Sequence, residues 1–397
     1  MNKKAKSLIY ILIGIIALIG GILGFLYLNT SITIFTNPTE SKITITDIQT
    51  SSGQKTKLKP GNYLIKVEFD EYIPYKQNIN IGLGSSPSLN INLRKAPIVQ
   101  RVIPDKAGFA TLLTDHIGMY VLSNNGKTMY EIPDINSSEI TTEKISPDFF
   151  KNVQNIIWSP DRSLAIIKQD KKTFLYDFKR YDLLHQEITP FIDGINYTVW
   201  SPDSNEIIYY YAPEDGERTL IRATKSNTDM KRIYNFKDST IKNPQLDWSY
   251  DANHLLLVAN DQLYILDLYF NELKEIKLSQ KVLEARFTPK GDIIYLSDQG
   301  NHIVDISGLN HTDLGIKTNL NRKYWIDENS FVFAQKPTDG PYRFYIYNLL
   351  DHEKDEIFYN TKTSINPTNL ILTSDAQMLY FESNGYLFRI NVDMGIY

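Results

Sequence analysis

From Ser7 to Leu28 the chain runs 22 residues without a charge, rich in Ile, Leu and Gly. Coiled as an α-helix, such a run spans ~33 Å, enough for a bilayer core. Beyond it the pattern changes to short alternations of apolar and polar positions. These are Ile32-Thr33-Ile34-Phe35, Ile43-Thr44-Ile45, Tyr63-Leu64-Ile65-Lys66-Val67, Ile79-Asn80-Ile81 and Leu89-Asn90-Ile91-Asn92-Leu93. A period of two puts apolar side chains on one face of a strand. Short strands packed this densely into residues 32–93 predict a small β-sandwich.

From residue 98 onward a third pattern repeats at intervals of 38 to 48 residues: a large apolar residue, a turn, then a run of strand formers. The clearest copies are Trp158-Ser159-Pro160-Asp161, Trp200-Ser201-Pro202-Asp203 and Trp248-Ser249-Tyr250-Asp251. Weaker ones follow at Phe287-Thr288-Pro289-Lys290-Gly291, Trp325-Ile326-Asp327-Glu328 and Leu372-Thr373-Ser374-Asp375. A period near forty residues, with several strands in each, predicts a β-propeller. Seven residues after Trp158, Trp200, Trp248 and Leu372 stand Ala165, Ile207, Leu255 and Leu379, while Phe287 and Trp325 reach Ile293 and Phe331 one residue sooner. The same offset picks out a decayed copy, Val102-Ile103-Pro104-Asp105, with Phe109 behind it.

The fold class predicted is thus all-β: one N-terminal transmembrane helix, a small β-sandwich and a six- to seven-bladed propeller, seven being favoured. A propeller must close, because an unpaired edge invites association. Ile98 to Val102 would pair with the strands ending near Val392 and join the two ends of the chain. The turn residues read as structural. Pro presets φ, Asp hydrogen-bonds an amide two residues on, and the large residue packs between blades. Pro133 to Val153 reads as an insertion in the first blade, with a helix over Pro147 to Gln154 as the alternative.

Trp-Ser-Pro-Asp, then an apolar strand, then a second strand such as Leu263-Tyr264-Ile265-Leu266-Asp267, resembles the TolB-type (WD40-like) propeller repeat over roughly 98–397. In that family Gly follows the Asp and takes a positive φ; here Arg162, Ser204 and Ala252 stand there, with Gly only at Gly291. Asn205 and Asn253, one residue on, are the expected left-handed positions. Leu58-Lys59-Pro60-Gly61-Asn62-Tyr63, followed by Tyr72-Ile73-Pro74-Tyr75, resembles the PEGA domain, a small extracytoplasmic β-module. Its namesake motif is degraded to Pro38-Thr39-Glu40-Ser41, and Glu71 replaces the Gly that precedes Tyr72.

Lys3, Lys4 and Lys6 precede the apolar run, and no basic residue follows until Lys42. The positive-inside rule then leaves residues 1–6 as a cytoplasmic tail, 7–28 as the span, and the domains at 32–93 and 98–397 outside. A cleaved signal peptide is the competing reading. Its apolar region runs about 7–15 residues and closes on a small-x-small site, whereas this run closes on Leu26-Tyr27-Leu28-Asn29. Ala17/Gly21 and Gly20/Gly24 form small-xxx-small pairs suited to weak helix dimerisation.

The formal charge of −4 and the absence of Cys sharpen this picture. Folding rests on ordinary cores without disulfides. Without the three N-terminal lysines, 39 basic residues face 46 acidic ones, so nucleic acid is not an expected partner. Arg218, Arg222, Lys225, Lys231 and Arg232 cluster in one blade, read as solvated charges rather than a binding patch.

No catalytic chemistry is legible. His116, His185, His254, His302, His311 and His352 lack metal-ligand spacing, His302 and His311 included. There is no G-x-S-x-G elbow, and Gly82-Leu83-Gly84-Ser85-Ser86 joins two strands rather than opening a helix. No cofactor, metal or catalytic residue is therefore expected. Most of the 26 tyrosines, Tyr209-Tyr210-Tyr211 among them, are read as filling between blades.

The expectation is a membrane-anchored extracytoplasmic binding or scaffold protein of the cell envelope, not an enzyme. Its propeller presents a face to an envelope protein or a cell-wall glycan. The alternative is a glycan-active enzyme with a carboxylate pair on the inner strands, which read as mostly apolar.

Overall fold

The computed structural model describes residues 3–123, 125–137, 139–148, 150–170, 172–178, 188–191, 194–214, 216–236, 240–338, 340–360 and 364–392; the side chains of 3–10 and of 188 lie outside that description, as does His185. The chain divides after Ile98 into two compact units.

In the first unit a helix covers Lys3–Asn29, and Ile11–Asn29 is long and apolar enough to cross a membrane. Behind it stand two small sheets. Lys55–Lys57, Ser31–Asn37 and Ser88–Asn92 form one; Ile48–Thr50, Lys42–Ile45, Gly61–Glu68 and Tyr75–Ile81 form the other. The alternation works as the pattern requires: Ile32, Ile34, Ile43, Ile45, Ile65 and Val67 all point into one core. Ser31–Asn37 and Ser88–Asn92 pair in parallel, which the alternation alone does not specify. Glu71, where the resemblance expects Gly, takes φ 68°. Gly82 to Ser86 is the turn between two strands.

The second unit is a ring of seven four-stranded antiparallel sheets. Apolar runs such as Leu255-Leu256-Leu257-Val258 are explained by burial on both faces of the blade. Leu255 and Leu257 pack with Ile208 and Tyr210 of the preceding blade, whereas Leu256 and Val258 pack with Ile293 and Tyr295 of the next. Tyr209, Tyr210, Tyr347 and Tyr380 are buried in such junctions, and Phe344 meets Phe381 across another at 5.0 Å between centroids.

The sequence offset proves to be a cross-strand register. Trp158 pairs with Ala165, Trp200 with Ile207, Trp248 with Leu255 and Leu372 with Leu379. Phe287 pairs with Ile293 and Trp325 with Phe331, through turns one residue shorter. The seventh sheet is completed by Gln100–Arg101, where Arg101 pairs with Phe388 and Gln100 with Arg389. Val102 N–H donates to Leu387 at 2.9 Å, and the Arg101 guanidinium lies 3.8 Å over the Tyr386 ring. The ring therefore closes as expected, with seven blades.

Three sequence expectations are corrected. Val102-Ile103-Pro104-Asp105 is not the seventh turn; it links the closing strand to Gly108–Leu112. The equivalent turn is Leu112-Leu113-Thr114-Asp115-His116. There Leu113 N–H bonds Gly118 (2.9 Å) and His116 N–H bonds Leu113 (3.0 Å), as Ser159 bonds Leu164 (2.9 Å) and Arg162 bonds Ser159 (2.9 Å). Secondly, the left-handed residues are Arg162 (φ 57°), Ser204 (63°) and Ala252 (63°) themselves, not Asn205 and Asn253. The turn sets the backbone, and the side chain bears the strain. Thirdly, Pro133 to Val153 is no insertion. It holds the fourth strand of its blade, Glu143–Lys144, and the described part of 147–154 has no helix, Val153 opening the next blade.

Candidate functional site

Seven strands form the inner wall of the ring: Gly108–Leu112, Val153–Trp158, Ile195–Trp200, Gln245–Trp248, Val282–Phe287, Lys323–Trp325 and Thr368–Leu372. Each touches the next, Val282–Phe287 doing so through the 3-10 turn Leu320–Arg322. Every inner strand runs into its repeat turn, so all the turns lie at one end of the channel and all the strand starts at the other.

At the turn end the side chains of four turns hydrogen-bond in one recurring pattern. The hydroxyls of Ser159, Ser201, Ser249 and Thr373 donate to Asp161, Asp203, Asp251 and Asp375 at 2.7, 2.6, 2.5 and 2.6 Å. The same hydroxyls accept the amides of Leu164, Glu206, His254 and Met378 at 2.9–3.0 Å. Each Asp accepts the amide two residues on, Asn205 to Asp203 at 3.1 Å for instance. The Ser201 hydroxyl and the Asn205 side chain hold the Asp203 carboxyl below its usual range. Trp200 Nε1 donates to Ile157 in the neighbouring blade at 2.9 Å, and Trp158 Nε1 to Phe109 at 3.3 Å. Trp200, Trp248 and Phe287 are buried, Trp158 and Trp325 half-buried. Pro160 is exposed, and Pro202 and Pro289 are half-buried in their turns. The sequence-predicted turn residues thus lie at blade junctions, spread around the ring rather than gathered at one site.

The charged groups of the channel serve the same junctions. Asp247 accepts the Phe287 amide at 2.7 Å, Glu284 that of Leu320 at 2.9 Å, and Glu382 that of Ala110 at 2.8 Å, each from the following blade. Burial raises the Asp247 and Glu382 carboxyls, against the pull of Arg286 on the former and of Asn369 on the latter. Burial pushes the Lys323 ammonium well down; Glu284 acts in the opposite sense. Arg162 donates to Leu112 (2.9 Å) and Ser159 (2.7 Å). The lining carboxylates Asp247 and Glu284 thus have cationic neighbours and backbone partners. Lys323 Nζ has no hydrogen bond and lies 5.2 Å from the Trp325 ring and 5.1 Å from Phe331.

The opposite end is different in kind. A cavity of about 1110 Å³ runs along the channel to this end, lined here by Gln154, Asn155, Asn196, Asn243, Gln245 and Asn321, with Tyr197 beside them, and deeper by Trp158, Arg162, Asp247, Glu284 and Arg286. The residues of the mouth lie at or just before the starts of inner strands. Here the strands are bulged: pairing skips between Val153 and Asn155, between Asn196 and Thr198, and between Val282 and Glu284. A bulge re-aims side chains that a regular strand would alternate. Tyr197 sits in one at φ 45° and stays 47% exposed. The inner strands were read from sequence as mostly apolar, and this mouth corrects that reading.

Among the remaining candidates, His302 and His311 do meet across adjacent strands, their rings tilted by 30° with centroids 5.0 Å apart. His302 is buried and bonds Ser297 at 3.0 Å, and burial lowers its pKa. Among the described residues no His, Cys, Asp or Glu cluster can hold a metal ion. In the basic cluster, Arg222 is paired with Glu206, and Arg218 donates to Ile241 at 2.8 Å.

Among curated proteins none matches the chain. Among solved structures, an oligogalacturonate lyase in complex with manganese is similar with TM-score 0.54 at 13% identity, over 75% of this chain and 93% of that one. The β-propeller domain of Cps50 (Swd1) from Myceliophteria thermophila is similar with TM-score 0.52 at 12% identity, over 74% and 98%. At such identities the likeness is one of fold. Residues 29–97 match the PEGA domain family, so the chain carries a PEGA domain followed by a β-propeller.

Proposed function

We propose that this chain is a single-pass, membrane-anchored, extracytoplasmic binding or scaffold protein of the cell envelope. The helix Lys3–Asn29 is its uncleaved anchor, the PEGA domain its spacer, and a TolB-type propeller its recognition module. The observation that carries the binding reading is the division of labour inside the channel. The lining carboxylates Asp247 and Glu284 accept backbone amides across blade junctions, while the uncharged carboxamides at the mouth of the same cavity hold open hydrogen-bonding groups. Such a cavity positions a ligand through convergent polar groups. The orientation is supported by Lys3, Lys4 and Lys6 ahead of the apolar run.

Protease added to intact spheroplasts should digest everything beyond about Leu28, and protection of the propeller would overturn the orientation. Crosslinking in intact cells, followed by recovery of the tagged full-length chain, should retain an envelope protein or glycan. Recovery of the chain alone would speak against a binding role.

A further inference from the structure

We propose that the carboxamide-lined mouth of the channel is a subsite for an uncharged oligosaccharide, with the Tyr197 ring as its stacking platform. The proposal rests on the reading of the propeller as a binding module and gives that module a ligand class.

A carboxamide offers both a donor and an acceptor without charge. That combination suits the hydroxyl and amide groups of a neutral sugar, each of which also donates and accepts. Among the described residues, the side chains of Gln154, Asn155, Asn196, Asn243 and Asn321 bond to no other protein group, so their hydrogen-bonding capacity is open to a ligand. Gln245 makes a single long contact, to the Leu283 carbonyl at 3.4 Å. The lining carboxylates already accept backbone amides, Asp247 from Phe287 and Glu284 from Leu320. Lys168 alone among the lining cations is unengaged, too little to organise a polyanion.

Tyr197 supplies the second element. A left-handed backbone is rare for a bulky residue, and here it coincides with a bulge, an exposed ring and the rim of the cavity. An exposed Tyr offers a flat apolar face with a polar tip, which matches the face of a pyranose. At about 1110 Å³ the cavity exceeds the usual range for one small molecule, ~300–1,000 Å³, and leaves room for several sugar units.

Calorimetric titration of the detergent-solubilised full-length chain with chitotetraose, cellotetraose and maltotetraose, and with trigalacturonate as the anionic comparator, tests this. At least one neutral tetrasaccharide should bind more tightly than trigalacturonate. Asn155→Ala and Tyr197→Asn should each weaken it about tenfold, the loss of one good contact, with unchanged melting temperature. Asn keeps the left-handed preference at 197 while removing the ring. Preference for trigalacturonate would overturn the ligand class. Neutral binding that both variants leave intact would overturn the site. If no neutral sugar binds at millimolar concentration, the inference fails. In each case the wider binding reading stands or falls separately, by the crosslinking result.

Discussion

At the turn end of the inner strands, the Ser201 hydroxyl donates to Asp203 and accepts the Glu206 amide, and the neighbouring indole of Trp200 reaches into the preceding blade. At the start end, Asn155 and Asn196 stand on inner strands of adjacent blades, and among the described residues their side chains have no hydrogen-bond partner. One end recurs from blade to blade; the other does not. Residues that recur hold the ring together, and residues free of that duty are where a partner can be recognised. Strain follows the same division. Ala252 accepts a left-handed backbone to keep a turn, whereas Tyr197 accepts one at the rim of a cavity.

The contrast can be broken or sharpened by substitution at each end. Trp200→Ala should cost the most, about 3–5 kcal/mol, as a buried indole leaves a junction. Denaturant unfolding measures it, and an unchanged midpoint would place the ring outside the core. Ser201→Ala strands the Glu206 amide and one bond of Asp203, so a loss of about 1–3 kcal/mol is expected by the same method. Ala252→Gly acts in the opposite direction. Relief of the left-handed cost, about 1–2 kcal/mol, outweighs the added freedom of the unfolded chain, about 0.4–1 kcal/mol. A rise in melting temperature should result, and a fall would mean the turn relaxes by another route. Asn155→Ala should move stability least, within about 0.5 kcal/mol. A larger loss would show that the mouth, too, is holding the ring.

The turn end was largely legible in the sequence because repetition amplifies a weak signal. Trp-Ser-Pro-Asp means little once, but its period and offset together specify a strand register. The seventh turn was misplaced for the same reason. Val102-Ile103-Pro104-Asp105 carries the favoured residue types, whereas Leu112-Leu113-Thr114-Asp115-His116 meets the geometry with neither Trp nor Pro. Backbone hydrogen bonds satisfy the turn whatever side chains decorate it. The mouth was not legible at all. Gln154, Tyr197 and Asn243 share no register, and bulges bring them together in a way that no period-two reading anticipates. His302 and His311 show the same limit, since they meet through pairing of neighbouring strands rather than through their spacing in the chain.

The closing strand has a consequence in time. Gln100 and Arg101 are made early, but their partners Arg389 and Phe388 come at the other end of the propeller sequence. At ~5–20 residues per second, the first must wait roughly 15–60 s for the second. Throughout that interval the ring has an open seam and the closing strand has no ladder to join. A product that stopped short of the seventh blade would keep that seam for good, exposing the kind of edge on which chains aggregate. Closure of the ring therefore reduces to one event, the arrival of Tyr386–Asn391 beside a strand that left the ribosome long before.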